Sequence, residues 1–200
     1  MSRLIAGSAL TTTALVLLLT GCSGGATPTS PPTTSAPASP TQTPTSTPTH
    51  SVDPNAPTGQ CADDALQVTV ENVDAGAGSI YLNLVFTNTG SGSCELRGAP
   101  GVSVVDASEN ELGVPAEQVN DDSPATVTLE PGASVSAPLQ VTNIAPDGGP
   151  LDDCPVVEGT GYRIYPPHSF TGFIVSSTDP VPACNSSTVF MKVSPVAASS

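Results

Sequence analysis

Along residues 61–193, aliphatic and polar side chains alternate, and Gly, Pro, Asn and Asp interrupt the chain roughly every eight to twelve residues. Leu66, Val68 and Val70 share one face of an extended segment, with Gln67 and Thr69 on the other. Ile80, Leu82, Leu84 and Phe86 repeat that arrangement across Tyr81, Asn83 and Val85. The pattern continues at Val102 with Val104, at Val127 with Leu129, and through Val135, Ala137, Leu139 and Val141. Residues 162–165 and 171–175 read as further strands, and 188–193 closes the series. A period of two with one face apolar predicts antiparallel sheet. The segment 116–120 is too short for a helix, and no other window has helical periodicity. Short strands with turn signals between them predict an all-β, immunoglobulin-like antiparallel β-sandwich, with an open barrel as the alternative. The chain has no Trp, so the buried tryptophan of antibody-type domains is missing.

Upstream the pattern is different. Residues 1–3 carry one positive charge, and residues 4–19 are uncharged and end in Leu15-Val16-Leu17-Leu18-Leu19. This run falls short of the roughly 20 apolar residues of a membrane span and reads as a signal peptide. It leads into Leu19-Thr20-Gly21-Cys22, which is similar to a bacterial lipobox. The expectation is cleavage after residue 21 and fatty acylation of Cys22, with several acyl chains making a stable anchor on the extracytoplasmic face of the cell membrane. Residues 22–60 then form a Ser/Thr/Pro-rich linker with almost no aliphatic content, unable to offset its own ordering entropy. Proline biases it toward an extended form at roughly 3 Å per residue, and its composition suits O-glycosylation. His50 in this linker reads as a solvated residue. The domain is expected at 61–194, followed by a tail at 195–200.

With Cys22 lipidated, Cys61, Cys94, Cys154 and Cys184 remain. In an exported domain these predict two disulfides, with three connectivities open. Their order along the strands favours Cys61–Cys94 and Cys154–Cys184, each stabilising by roughly 3 kcal/mol in the chain-entropy model. Zinc is the weaker reading, since there is no Cys-x-x-Cys pair.

Three blocks carry a family likeness. The first is Cys61 and Leu66, then Asn88-Thr89-Gly90, then Cys94, Leu96, Gly98, Pro100, Gly101 and Val102. The second is Leu129-x-Pro131-Gly132 and the third is Pro166-Pro167. Together they resemble the exported actinobacterial family named domain of unknown function 4232 (DUF4232), over about residues 61–193. The resemblance implies a secreted or lipid-anchored β-sandwich, and it brings no activity and no functional residues with it.

A search for chemistry yields few candidates. The nucleophile elbow, Ser-x-x-Lys, His-Glu-x-x-His and phosphate-loop motifs are all missing. The domain holds one histidine, His168, and one methionine, Met191, too few nitrogen and thioether ligands for copper or zinc. The paired acids Asp63-Asp64, Asp121-Asp122 and Asp152-Asp153 read mainly as solvated loop charges. Asp147, Asp152 and Asp153 are the best of these for calcium, because the glycines at 148 and 149 let the loop fold back.

Charge narrows the field of partners. The chain has 18 acids against 4 Lys and Arg, a net of −14, and the domain's cations are Arg97, Arg163 and Lys192. Such a surface disfavours nucleic acid and anionic lipid headgroups. Of the aromatics, Tyr81 is expected to face outward, and only one of Tyr162 and Tyr165 can share the inner face. Phe86, Phe170, Phe173 and Phe190 read as core and edge residues before they read as a sugar platform. The functional expectation is a monomeric, cofactor-free, non-enzymatic binding or structural module, tethered to the membrane, whose partner is an envelope protein or glycan. A small ligand in a pocket between sheets is a further form of binding. The rival is an envelope hydrolase or metal-dependent enzyme built from loop carboxylates and His168.

Overall fold

The structure is a computed structural model that describes residues 53–119 and 123–198. The signal peptide, Cys22, the linker to residue 52 with His50, and Asp121-Asp122 lie outside the described residues. Twelve strands follow one another: β1 (Leu66–Gly76), β2 (Ser79–Asn88), β3 (Cys94–Arg97), β4 (Gly101–Val105), β5 (Glu111–Leu112) and β6 (Glu117–Gln118) come first. They are followed by β7 (Thr126–Leu129), β8 (Ser134–Thr142), β9 (Val156–Tyr165), β10 (Phe173–Cys184), β11 (Met191–Val193) and β12 (Ala197–Ala198). Among the described residues there is no α-helix, only a short 3-10 turn at Asp63–Ala65.

The strands form three sheets. One runs in the order β1-β2-β8-β11-β6, with β12 also paired to β8; a second runs β10-β9-β4-β5; the third is the pair β3-β7. Pairing is antiparallel except between β11 and β6. β1 and β2 make a hairpin whose two turn residues, Ala77 and Gly78, both have positive φ (47° and 77°). Two left-handed residues match the right-handed twist of the flanking strands, which is why a two-residue turn closes here. β9 and β10 approach closely at Gly161, where a Cβ would lie 2.3 Å from the carbonyl oxygen of Val175.

The alternation places the core as expected. Leu82, Leu84 and Phe86 of β2 are buried, while Tyr81, on the opposite face of the strand, is exposed. They join Val102, Val104 and Ile164 of the second sheet and Leu96 and Leu129 of the third in one apolar cluster. Tyr162 belongs to that cluster, and burial pushes its phenol pKa up to about 12.

Several strands exceed or escape the periodic reading. β1 continues through the exposed residues 71–76, and β10 runs on from Val175 to Cys184 around an irregularity between Ser176 and Val181. Both disulfides have the favoured connectivity, Cys61–Cys94 and Cys154–Cys184. Ordered structure reaches into both flanks: β12 lies in the stretch read as tail, and Val196 is buried. On the other side Pro57, in the stretch read as linker, is buried too.

Candidate functional site

The family-like blocks meet at two places, one structural and one open to solvent. The structural one centres on Asn88, which has no exposed surface. Its Nδ2 donates to the carbonyl oxygens of Gly92 (2.8 Å) and Leu129 (2.9 Å), and its Oδ1 accepts from the Gly90 amide (2.9 Å). Its own amide donates to Ala133 O, and its carbonyl accepts from the Gly132 amide. The Asn88-Thr89-Gly90 block is thereby stitched to the Leu129-Glu130-Pro131-Gly132 block. This is a brace, since every polar group of Asn88 is consumed within the fold.

The open place is a cleft of about 730 Å³. Arg97 at the end of β3 and Gly98 of the β3–β4 connection line it, together with Gln118 of β6, Tyr165 at the end of β9, and His168 and Phe170 of the following loop. That loop turns tightly: the Ser169 amide donates to Pro166 O, and His168 adopts a positive φ of 60°. Two prolines before it restrict the backbone leading into the turn. Phe170 is 68% exposed, so its ring stands in solvent at the rim.

Residues 53–60 are pinned against this loop. His168 Nδ1 lies 2.9 Å from Asp53 Oδ2, and Gln60 Nε2 donates to Pro167 O (3.0 Å). The Arg97 guanidinium donates to the carbonyl oxygen of Asn55. Cys61 and Glu95 exchange further backbone bonds with the same region, through Cys61 N to Glu95 O and Glu95 N to Gly59 O. The hydrogen bond from His168, followed by the Asn55 amide, holds the Asp53 carboxyl below its ordinary value of 3.8.

A depressed folded-state pKa means that this carboxylate stabilises the fold fully above its unfolded value, and that the contribution disappears as pH falls through the folded value. Asp53→Asn is therefore expected to lower the urea midpoint by a constant amount from about pH 5 down to about pH 4, with the gap to wild type closing below that. A gap that stayed unchanged down to pH 2 would show that the Asp53 charge has no part in docking the segment.

Across the Asp53–His168 pair lies a second groove of about 780 Å³, lined by the apolar Pro57, Ala62, Phe170 and Phe173 and by the acidic Asp63 and Asp64. Ser169 Oγ donates to Asp63 Oδ1 (2.6 Å). The structure thus brings His168 and Asp63 to one region, and adds Asp53, Arg97 and Gln118, which sequence reasoning did not single out. Asp53 lies in a stretch that looks like linker, and no local signal marks its partner.

Asp147, Asp152 and Asp153 stay elsewhere, in a loop bonded partly within itself and partly to Thr188. Asp147 Oδ1 accepts from the Gly149 amide, and the Asp152 and Asp153 carbonyls accept from Thr188 Oγ1. Among the described residues, no three His, Cys, Asp or Glu side chains converge as a metal site would require. Tyr165 lines the cleft, whereas Tyr162 is core; the opposite parity of the two residues is realised in this way.

These features define an all-β domain braced by two disulfides, with a polar cleft at the edge where residues 53–60 join it. The family model described as domain of unknown function (DUF4232) matches residues 61–197, and the chain belongs to that family. Among curated proteins, none matches this chain.

Proposed function

We propose that the chain is a cell-envelope lipoprotein that presents a non-enzymatic binding module, an immunoglobulin-like β-sandwich, on a membrane tether. The sandwich reading is supported by the single apolar cluster shared between the β2/β8 sheet and the β4/β9 sheet. The anchor reading rests on the charged start, the apolar run and the lipobox-like Leu19-Thr20-Gly21-Cys22. The observation that carries a binding role is the cleft itself, where Arg97, Gln118, His168 and the exposed Phe170 surround a space of ligand size. The partner is an envelope component, protein or glycan, that reaches this rim.

One observation favours the enzymatic reading. Asp53 orients His168 through Nδ1, as a carboxylate does for a general base. Against it, among the described residues no hydroxyl is hydrogen-bonded to His168 Nε2, and the neighbouring Ser169 hydroxyl is turned to Asp63. A base acting on a protein nucleophile needs that hydroxyl in hydrogen-bond reach, and the Ser169 hydroxyl is committed to Asp63.

The test has two arms in the intact cell. Cys22→Ala is expected to lose the labelling by an alkyne-tagged fatty acid that the wild-type chain takes up. A photo-crosslinking residue at position 170 of the anchored chain is expected to capture a discrete envelope component that the same probe at position 73 does not. A wild-type chain that takes up no label, or labelling that persists in Cys22→Ala, would refute the anchor, and identical capture from both positions would refute the cleft as the binding face.

A further inference from the structure

We propose that the cleft between Arg97 and His168 takes a small polar ligand bearing a single carboxylate. This names the ligand class for the binding role proposed above and rests on that reading. The starting point is the unequal use of a very small set of cations. Arg163 lies 3.9 Å from Glu109 Oε2 and 3.5 Å from Glu111 Oε1, and Lys192 lies 3.5 Å from Glu117 Oε2. Among the described residues Arg97 alone of the basic side chains has no carboxylate partner, in a chain with a net charge of −14.

Its guanidinium is given a backbone carbonyl, that of Asn55. A guanidinium has five N–H donors in a rigid fork that suits two carboxylate oxygens, and one neutral acceptor leaves most of that capacity unused. The side chain is half-buried at the cleft wall, where water screens it less than on open surface.

The surrounding groups sharpen the ligand. Asp53 occupies His168 Nδ1, and Nε2 is on the Gly98 side of the ring, where a Cβ at Gly98 would be 3.9 Å away. Nε2 is therefore the ring nitrogen left for a hydroxyl or an oxyanion. Gln118 Nε2 donates to Ala99 O (3.2 Å) and Pro100 O (3.1 Å), which fixes the amide and leaves Oε1 as an acceptor for a ligand hydroxyl or N–H. Tyr165 and Phe170 add aromatic surface for an apolar ring face or methyl group. A volume of about 730 Å³ lies within the range of roughly 300–1,000 Å³ typical of small-ligand sites.

Charge limits the ligand to one negative group. Asp53 lines the same cleft and the whole domain repels anions, so a dianion would gain one guanidinium against a strongly negative field. A monocarboxylate with neutral polar substituents meets the fork and keeps the remaining contacts as hydrogen bonds. A sugar acid and a peptide C-terminus share this chemistry.

The experiment uses the full lipidated chain in neutral detergent micelles and saturation-transfer NMR with five probes. These are sodium D-glucuronate, D-glucose, N-acetylglycine and N-acetylglycinamide, observed directly, and inorganic phosphate, which has no carbon-bound proton and is read by the signal it displaces from the others. At least one acid is expected to bind saturably and about ten-fold more tightly than its neutral counterpart, the scale of a charge-assisted hydrogen bond. Glucuronate or N-acetylglycine as the preferred acid identifies the sugar or the peptide source, and either supports the proposal. Arg97→Gln is expected to erase the preference, and Arg97→Lys, which keeps the charge and loses the fork, to erase most of it. Lys192→Gln, a surface pair outside the cleft, is expected to leave it unchanged.

Equal binding of acid and neutral probes, tighter binding of phosphate, or an equal loss in Lys192→Gln would each overturn the carboxylate class. No binding of any probe would also overturn it. If position 170 still captures a discrete envelope component in that case, the binding module stands with a different ligand. If that capture is missing as well, both readings fall.

Discussion

Asn88→Ala is expected to lower the stability of the domain by about 3–5 kcal/mol, read as a fall in the urea midpoint at unchanged slope. Asn88 is fully buried and serves the Gly92 and Leu129 carbonyls and the Gly90 amide at once. Truncation leaves the buried Leu129 carbonyl unmet and takes the partner from the part-buried Gly92 and Gly90 bonds, and an unmet polar group that water does not reach costs about 1–3 kcal/mol. Asn88→Asp is a sharper variant. It keeps an acceptor for Gly90, but it replaces the donor to two carbonyl oxygens with a buried negative charge. It is expected to destabilise at least as much as Asn88→Ala. A loss below about 1 kcal/mol in both variants would mean that water replaces the side chain at this site, and that the brace between the two blocks is not stabilising.

Opening both disulfides is the second large effect. Cys61–Cys94 and Cys154–Cys184 close loops with sequence separations of 33 and 30. Each is expected to contribute about 3 kcal/mol by restricting the unfolded chain, so the pair contributes about 6 kcal/mol. That is comparable to the whole stability of many domains, about 5–15 kcal/mol. The protein with all four cysteines replaced by serine is expected to be largely unfolded at 37 °C by circular dichroism. The two single-bridge variants should differ in where they loosen. Cys61 and Cys94 adjoin the bonds that hold Gly59 and Glu95, so loss of that bridge should raise amide exchange at residues 59–61 and 95. Loss of Cys154–Cys184 should leave those amides protected. Equal exchange in both variants would show that the bridge does not secure the segment beside the cleft.

The same segment separates what is readable along the chain from what is not. Alternation places Leu82, Leu84, Phe86, Leu139 and Val141 in the core, because a strand with one buried face must repeat every second residue. It fails for β10 beyond Val175, where residues 176–180 are exposed and carry no apolar beat. Of that stretch only Ser176 pairs with β9; residues 177–180 form the irregularity before pairing resumes at Val181, and neither a bulge nor backbone pairing leaves much trace in composition. It fails again at residues 53–60, whose Pro, Thr and Gly content looks like spacer. Their order comes from single contacts to distant residues: Asp53 to His168, Asn55 to Arg97, Gln60 to Pro167.

Residue order alone therefore carries the all-β class, the inner face of the long strands, the cysteine framework and the acidic surface. Each of these follows from local periodicity, residue type or simple counting. Tertiary structure decided the cleft. Its Arg97, its Gln118 and its Tyr165–His168 segment come from three separated parts of the chain, and Asp53 reaches them from a fourth. No period or motif links such positions, since their proximity is a product of sheet pairing and loop closure. The same holds for Asn88: the sequence shows a strand ending in a polar turn, and only the fold makes its side chain the buried joint between two loops.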